Sequence, residues 1–403
     1  MFGLKEAEVA GLVRPVAGDQ LDREQIEERF ARAAWTGLAE PGDRVAGELL
    51  GAIGAPAALR ALVARETPDA LAPRAGIDLD ELRQGFDRWL PRLTSATALT
   101  SLRQAGRFGT RLLVPGDALW PDAMSDLGPH TPIALWLRGT DAAVTALGRG
   151  IALVGARAAT GYGEHVTTEA SAGLCDRGYT IVSGAAYGID GAAHRAALAS
   201  EGLTVAFLAG GVDRFYPSGH EALLNRVVEH GAVLSELPCG TPPTKWRFLQ
   251  RNRLIAAASL ATVVLEAGYR SGSLNTASHA RSLSRPLGAV PGPVTSSASA
   301  GCHRLIRDFD AVLVSSAREM AELAPLPDAA EFETAGAPEA TDRQIEGERI
   351  RVLDSLARRS GRTVAQLAAI SGMAPAEVQA TLGVLELEGR VRESERGWVK
   401  AAG

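Results

Sequence analysis

The sequence predicts an α/β protein built around a Rossmann-like, doubly wound and mostly parallel sheet. Short apolar runs alternate with helix-length segments from Ile151 to about Ala324, and this alternation is typical of βαβ units. Small or polar residues follow most of these runs, at the strand ends where ligands of such sheets bind. The predicted strands are Ile151–Val154, Thr180–Val182, Thr204–Leu208, Ala232–Leu234, Ala261–Leu265, Leu287–Val290 and Ala311–Val314.

Two smaller domains are predicted to flank this sheet domain, which we place at residues 101–324. Residues 1–100 carry apolar residues at helical spacing and predict a small helical domain of the SAM or helix-hairpin-helix type. The stretch at 325–345, rich in Pro, Ala and Gly, has the composition of a linker. Residues 346–403 predict three helices and a hairpin around Glu395-Arg396-Gly397, which indicates a winged-helix module.

The composition indicates a globular and mildly acidic protein. The net charge of the 403 residues is −5, so any nucleic-acid site must be a local patch. The three cysteines are far apart and form no CxxC pair, which argues against a disulfide framework or a zinc ribbon. The N-terminus lacks a signal-peptide pattern, and the uncharged run Leu254–Leu265 is too short to span a bilayer. We expect a cytoplasmic protein without a membrane span or a bound metal.

Gly155 and Arg157 follow the first predicted strand of the sheet domain, with Gly161 and Gly163 shortly after. Their spacing differs from the G-x-G-x-x-G fingerprint of dinucleotide-binding proteins, so no cofactor is predicted. A glycine-lined helix N-terminus with a nearby arginine instead suits a phosphate. The competing interpretation is a plain tight turn with a surface arginine.

Ser183 and Gly184 end the next predicted strand, and Asp190 and His194 follow at a helix start. The glycine permits a close approach to the backbone, and the serine hydroxyl can hydrogen-bond a phosphate. Asp190 and His194 stand four residues apart, but two ligands without a third are a weak sign of a metal site. An Asp at a helix start is usually a cap, so we expect a structural role for Asp190.

The segment from Lys245 to Arg253 is the sharpest sign of nucleic-acid binding. Within nine residues it holds four cations, two aromatic residues and no acid. Cations attract a phosphate backbone, and an aromatic ring gives an unpaired base a stacking surface. The competing interpretation is a solvated basic helix start with Trp246 and Phe248 in the core.

A serine- and glycine-rich turn, Ser271-Gly272-Ser273, opens the helix that follows the strand Ala261–Leu265. Hydroxyl and backbone N–H groups at such a helix start form a cradle for an anion. Glu266, at the end of the strand, is expected to pair with one of the arginines rather than to act as a base.

Together these segments resemble the DNA-processing protein A (DprA/Smf) family. The chain carries, in the family's order, Gly-x-Arg at 155–157, SGxAxGID at 183–190, TVAFLAGGVDRFYP at 204–217, FxxRNR at 248–253, SGSLxTA at 271–277, VPG at 290–292 and GCxRLI at 301–306. His303 stands where the family pattern has Asn, and Phe309-Asp310 where it has Gly-Ala.

The resemblance implies a protein that binds single-stranded DNA and forms a homodimer. We expect no catalytic activity, because no segment assembles a nucleophile, a base and an orienting group, and no set of metal ligands is complete. The resemblance also implies that the protein loads the RecA recombinase onto DNA during natural transformation and recombination. Carried over by position, the implied DNA contacts are Gly155, Arg157, Ser183, Gly184, Lys245, Phe248, Arg251, Asn252, Arg253, Ser271, Gly272 and Ser273.

Two other functions compete with this hypothesis. A nucleotide hydrolase of the lysine-decarboxylase-like Rossmann group would carry a PGGxGTxxE string, which this sequence lacks. A transcription regulator would read duplex DNA through the third helix of the winged-helix module. That helix, Pro375–Glu388, contains three glutamates and no Lys or Arg, so it is poorly suited to the major groove.

Overall fold

The structure is a computed structural model that describes residues 2–326, 348–357, 360–394 and 396–401. The chain divides into two compact units, Met1–Leu326 and Pro327–Gly403. The linker predicted at 325–345 lies outside the described residues, apart from Pro325 and Leu326.

Seven α-helices form within residues 2–110, all of which the structure describes. Asp22, Asp43 and Asp78 cap three of them, since their carboxylates accept hydrogen bonds from N–H groups that a helix start leaves unpaired. The helices are α1 Glu6–Ala17, α2 Arg23–Leu38, α3 Arg44–Ile53, α4 Ala55–Val63, α5 Pro68–Ala75, α6 Leu79–Trp89 and α7 Ser95–Arg107.

These helices share a core with the sheet that follows. Within them the buried rings of Trp35 and Trp89 meet edge to face, with centroids 5.2 Å apart. Across to the sheet, Nε1 of Trp136 donates to Oγ1 of Thr36 at 3.3 Å. Because helices and sheet form one compact unit, the domain boundary placed at residue 100 stays a prediction.

Nine strands of the first unit's described residues form one sheet in the order β1-β2-β6-β5-β4-β3-β7-β8-β9. β2 pairs antiparallel with both β1 and β6, and the pairings from β6 through β5, β4, β3, β7 and β8 to β9 are parallel. The central strands are buried along their length, as near-continuous apolar runs predict for parallel strands. The strands are Arg111–Leu113, Leu135–Gly139, Gly150–Gly155, Thr180–Ser183, Thr204–Phe207, Ala232–Ser235, Ala261–Glu266, Leu287–Ala289 and Val312–Leu313, numbered β1 to β9.

Helices connect the consecutive strands, so the predicted Rossmann-like, doubly wound sheet is confirmed. The strand order runs from β3 towards β6 on one side and from β7 towards β9 on the other. The carboxyl ends of β3 and β7 therefore flank the switch point where sheets of this kind bind ligands. The helices are α8 Asp141–Thr145, α9 Gly161–Cys175, α10 Ile189–Ala199, α11 Glu221–His230, α12 Lys245–Ala257, α13 Ser273–Ser282, α14 Ala300–Asp308 and α15 Ala317–Glu322.

The described residues of the second unit form the predicted three helices and hairpin. A helix at 348–355 precedes Val364–Ser371 and Pro375–Leu387, and strands β10 Val391–Ser394 and β11 Gly397–Lys400 pair antiparallel. Thr363 and Gln366 form a capping box at the second of these helices. This arrangement confirms the winged-helix module.

In the part of the chain that the structure describes, no single helix is long and apolar enough to cross a membrane; only the bent pair α3 and α4, taken together, meets that test of length and composition.

Candidate nucleic-acid interface

A groove of about 1010 Å³ opens at the switch point, beyond the carboxyl ends of β3 and β7. Its walls come from the turn after β3, the first half of α12 and the turn between β7 and α13. The predicted site residues that line it are Gly155, Arg157, Lys245, Phe248, Arg251, Asn252, Ser271, Gly272 and Ser273. Segments far apart in sequence therefore meet at one place, as the strand ends predicted.

The N-terminus of α12 presents Lys245 to the groove. Thr244 caps this helix by accepting a hydrogen bond from the N–H of Arg247. Lys245 is exposed and has no ion-pair partner among the described residues. Arg247 instead donates to both carboxylate oxygens of Glu40 at 2.8 and 3.0 Å. Of these two neighbouring cations, Lys245 is the one free to meet a phosphate.

Phe248 is half-buried and lies in the wall of the groove, so it is not a core residue. The guanidinium of Arg157 lies 4.8 Å from the centroid of its ring, and the ring of Tyr216 lies 5.7 Å away. These neighbours hold the ring in place while part of it stays accessible. The arrangement suits an aromatic platform with a cation beside it.

Arg251 is buried at the base of the groove. Its Nη1 donates to the carbonyl oxygens of Gly184 at 2.5 Å and of Phe207 at 2.7 Å. Burial lowers the pKa of Arg251 to about 10, although the charge of Asp190 opposes the shift. The guanidinium therefore stays charged at neutral pH.

Gly184 leaves space for the guanidinium of Arg251. A Cβ built on Gly184 would come within 2.0 Å of Nη1 of Arg251, so only glycine lets the guanidinium pass. Gly184 itself lines a small depression beside the groove, together with Phe248 and Tyr216. The group that closely approaches the backbone of Gly184 is therefore the side chain of Arg251, where the sequence predicted a ligand.

Asp190 and His194 have structural partners of their own. Oδ2 of Asp190 accepts hydrogen bonds from the N–H groups of Gly184 at 3.2 Å and Ala186 at 3.4 Å. Burial raises the pKa of Asp190, and the charge of Arg251 opposes that shift. His194 is fully buried and bonds Oγ1 of Thr204 through Nδ1 at 2.7 Å.

No group of three or more His, Cys, Asp or Glu side chains that could hold a metal ion occurs among the residues described. Burial lowers the pKa of His194 to about 3, so its ring is neutral at physiological pH.

The expectation that Glu266 pairs with an arginine is wrong. Its carboxylate accepts hydrogen bonds from the N–H of Thr160 at 2.8 Å and from its hydroxyl at 2.6 Å. A Cβ on Gly163 would come within 2.3 Å of Oε2 of Glu266. The carboxylate thus occupies the N-terminus of α9, where the sequence predicted a phosphate, because the positive end of a helix dipole attracts any nearby anion.

Besides Gly184, two predicted contacts do not line the groove. Ser183 is fully buried, and its hydroxyl donates to the carbonyl of Leu153 at 2.6 Å. Arg253 is also buried and donates to both oxygens of Glu236, at 2.5 and 2.7 Å, and to the carbonyl of His130. Both side chains stabilise the fold, so neither is available to a phosphate as predicted.

The turn before α13 contributes small polar groups. The hydroxyls of Ser271 and Ser273 lie 2.8 Å apart, and the amide of Asn252 donates to Oδ1 of Asn275 at 3.2 Å. A Cβ on Gly272 would meet no atom within 4 Å, so this part of the wall is open. The predicted cradle is therefore present as an open, polar wall at a helix start.

Three lining residues were missed from the sequence: Tyr216, Tyr269 and Arg270. The aromatic residues are 51% and 59% exposed. The available signal for Tyr269 was its place four residues beyond the end of the predicted strand Ala261–Leu265, whereas Tyr216 lies eight residues beyond Thr204–Leu208 and had no such signal. With Arg270 included, the lining holds four cations and one carboxylate, which is the local basic patch expected of a protein with net charge −5.

Comparisons with known proteins agree with this picture. Residues 111–325 match the family model described as DNA recombination-mediator protein A, and residues 335–395 match that of the DprA winged helix domain. A Mycobacterium tuberculosis protein, "Putative DNA processing protein DprA", is 47% identical over 302 residues, covering 72% of this chain and 77% of that protein. Protein Smf of Escherichia coli is 33% identical over 324 residues, covering 77% of this chain and 82% of Smf. The X-ray structure of DNA processing protein A from Streptococcus pneumoniae is similar with a TM-score of 0.58 and 28% identity, covering 73% of this chain and 96% of that one.

Proposed function

This chain belongs to the DNA recombination-mediator protein A (DprA/Smf) family, and on that premise we propose that it binds single-stranded DNA and helps to load the RecA recombinase onto it. The proposed setting is natural transformation and DNA recombination in the cytoplasm, with the protein acting as a homodimer. Family membership supports a role in DNA processing, and the composition of the groove supports contact with unpaired bases.

The observation that carries the proposal is the accessible ring of Phe248 among the cations of the groove. Bases of a duplex are stacked on each other, so a ring in a groove is useful only to unpaired bases. The cations attract the phosphates of any strand, whereas the ring stacks on a base of any sequence. Together they favour single strands without a preferred sequence.

Each lining residue has a role in this proposal. Lys245 and Arg157 contact phosphates from the rim, and Arg251 adds positive charge from the base of the groove. The remaining contacts come from the backbone and small polar groups at Gly155, Asn252, Ser271, Gly272 and Ser273.

We further propose that the protein catalyses no reaction on the DNA. Asp190, the acidic residue of the groove lining, is buried and engaged with two backbone N–H groups. Its substitution by Ala should lower stability, because those N–H groups lose their acceptor. Metal-dependent nuclease activity that co-purifies with the protein and disappears in Asp190→Ala would contradict this proposal. Released base from nucleoside monophosphates would favour the hydrolase hypothesis instead.

Fluorescence anisotropy with a labelled oligothymidylate and a duplex of the same length tests the DNA preference. We expect tighter binding of the single strand and a marked loss of affinity between about 50 and about 200 mM salt, since bound phosphates release counterions. Equal affinity for both forms would reject the proposal.

RecA-dependent ATP hydrolysis tests the loading step. Single-stranded DNA is first covered with single-strand-binding protein, which delays RecA, and this chain is then added. We expect the delay to shorten, and to shorten less with Phe248→Ala. An unchanged delay with a protein that binds DNA normally would reject RecA loading and leave DNA binding intact.

A further inference from the structure

The turn between β7 and α13 contributes an aromatic side chain to the groove that the contacts proposed above do not use. Tyr269 lines the groove and is 59% exposed. It stands directly before Arg270, which is exposed and has no ion-pair partner among the residues described for this unit. An accessible ring beside a free cation is the combination that also marks the N-terminal half of α12.

The backbone of the turn that carries Tyr269 is held by the start of α14. The N–H of Gly301 donates to the carbonyl of Ala267 at 2.7 Å, and the N–H of Ser271 donates to that of Gly268 at 3.0 Å. A Cβ on Gly301 would come within 2.6 Å of the Gly268 oxygen, so the turn packs directly on α14. An aromatic residue on a fixed turn loses little conformational entropy when it binds a ligand.

A guanidinium supports the ring of Tyr269. The guanidinium carbon of Arg304, from α14, lies 5.1 Å from the centroid of the Tyr269 ring. The same group lies 5.2 Å from the ring of Phe309, which fixes it on α14. Arg157 and Phe248 show a similar pairing at 4.8 Å. Besides Tyr216, the groove lining therefore contains two rings that each have an arginine against them, Phe248 and Tyr269.

We propose that Tyr269 is a second base-stacking position for the strand that stacks on Phe248, and that Arg270 contacts a phosphate next to it. The inference rests on the proposed binding of single-stranded DNA in the groove. One strand would lie along the groove with bases on both rings, so Tyr269 should matter only for strands long enough to reach both.

Photocrosslinking identifies the position directly. The protein is bound to an oligothymidylate in which 5-iodouracil replaces thymine, and the complex is irradiated. The protein is then digested, and the crosslinked peptides are sequenced by mass spectrometry. We expect crosslinks at both Phe248 and Tyr269. Crosslinks at Phe248 without any at Tyr269 would overturn the inference and leave the proposed function in place. Crosslinks at neither residue would overturn both.

Affinity measurements with Tyr269→Ala and Tyr269→Phe test the contribution of the ring. For oligothymidylates of about 16 nucleotides we expect Tyr269→Ala to raise Kd about fivefold or more, and Tyr269→Phe to stay within about twofold of the wild type. For the shortest strands that bind measurably, the effect of Tyr269→Ala should disappear. A loss that is the same at every length would overturn the inference, because it would reflect a distorted groove.

Trp246→Ala is the matched control, since Trp246 is 57% exposed but does not line the groove. We expect this variant to bind long strands as the wild type does. Equal losses in Trp246→Ala and Tyr269→Ala would overturn the assignment, because any exposed aromatic residue would then have the same effect.

Discussion

Replacement of Phe248 by Ala separates stacking from electrostatic attraction. The variant removes a ring that lies 4.8 Å from the guanidinium of Arg157 and 5.7 Å from the ring of Tyr216. Stacking of one base on an aromatic ring contributes about 1–3 kcal/mol, so we expect Kd for single-stranded DNA to rise about 5- to 150-fold. A ring releases no counterions, so the slope of log K against log salt should stay nearly unchanged.

The same variant also reports on the burial of the side chain. Truncation of a Phe in a protein core costs about 3–5 kcal/mol of stability. Phe248 is half-buried, and we expect a loss of about 2 kcal/mol, which includes the contacts of its ring with the guanidinium groups of Arg157 at 4.8 Å and Arg251 at 5.8 Å. We expect Phe248→Ala to remain folded in buffer despite this loss, so its weaker binding of single-stranded DNA would report on the missing ring.

Urea unfolding and anisotropy titrations at two salt concentrations are the assays, with Trp246→Ala as the control on the same helix. A folded Phe248→Ala protein that binds as tightly as the wild type would refute the stacking role. A clearly flatter salt dependence in this variant would also refute it, because the ring would then act by positioning a cation.

Three further perturbations follow from the contacts of single side chains. Lys245→Ala should flatten the salt slope by about 0.7 for a lost phosphate contact, whereas Arg247→Ala should not change it, because Glu40 holds that guanidinium. Burial lowers the pKa of His194 from 6.5 to about 3, so the neutral ring contributes stability above about pH 6.5 that is lost as pH falls towards 3. Between about pH 7 and about pH 4.5, the wild type should lose about 2–3 kcal/mol more unfolding free energy than His194→Gln. Glu40→Gln should lower the free energy of unfolding by about 1 kcal/mol, since it weakens a charged pair that ties the helical region to α12.

Each of these expectations has a clear contrary result. Equal slopes for Lys245→Ala and the wild type would remove Lys245 from the DNA contacts. Parallel pH profiles for the wild type and His194→Gln in urea unfolding would show that His194 does not titrate with the fold. A Glu40→Gln protein as stable as the wild type would show that the ion pairs of Glu40 with Arg247 and Arg92 contribute nothing measurable.

The sheet was predictable because each of its central strands has a local signal in the sequence. Runs such as Thr180–Val182 and Ala232–Leu234 are short, mostly apolar and bounded by turns. Such a pattern is sufficient to predict a strand that is buried on both faces. The edge of the sheet that binds ligands was predicted from the small and polar residues after most runs, since parallel strands bring their carboxyl ends to one edge. The switch point within that edge required the strand order. The hydrogen-bond and ion-pair partners of the side chains could not be predicted in this way.

Those partners come from distant parts of the chain. Arg247 and Glu40 are 207 residues apart, and neither carries a local sign of the other. Arg253 is closer to its partner, Glu236, but a run of four cations gave no indication of which were already neutralised. Glu266 was misjudged for the same reason, because the helix start that attracts its carboxylate is 106 residues away.

The central claim is that single-stranded DNA binds in the groove beyond β3 and β7. Hydrogen–deuterium exchange with and without a saturating oligothymidylate tests it most directly. We expect slower amide exchange on binding in the turn at 155–160, in the first turns of α12 and in the turn at 267–272. Protection confined to residues 348–401, with these three segments unchanged, would contradict the claim and place the DNA on the winged-helix unit.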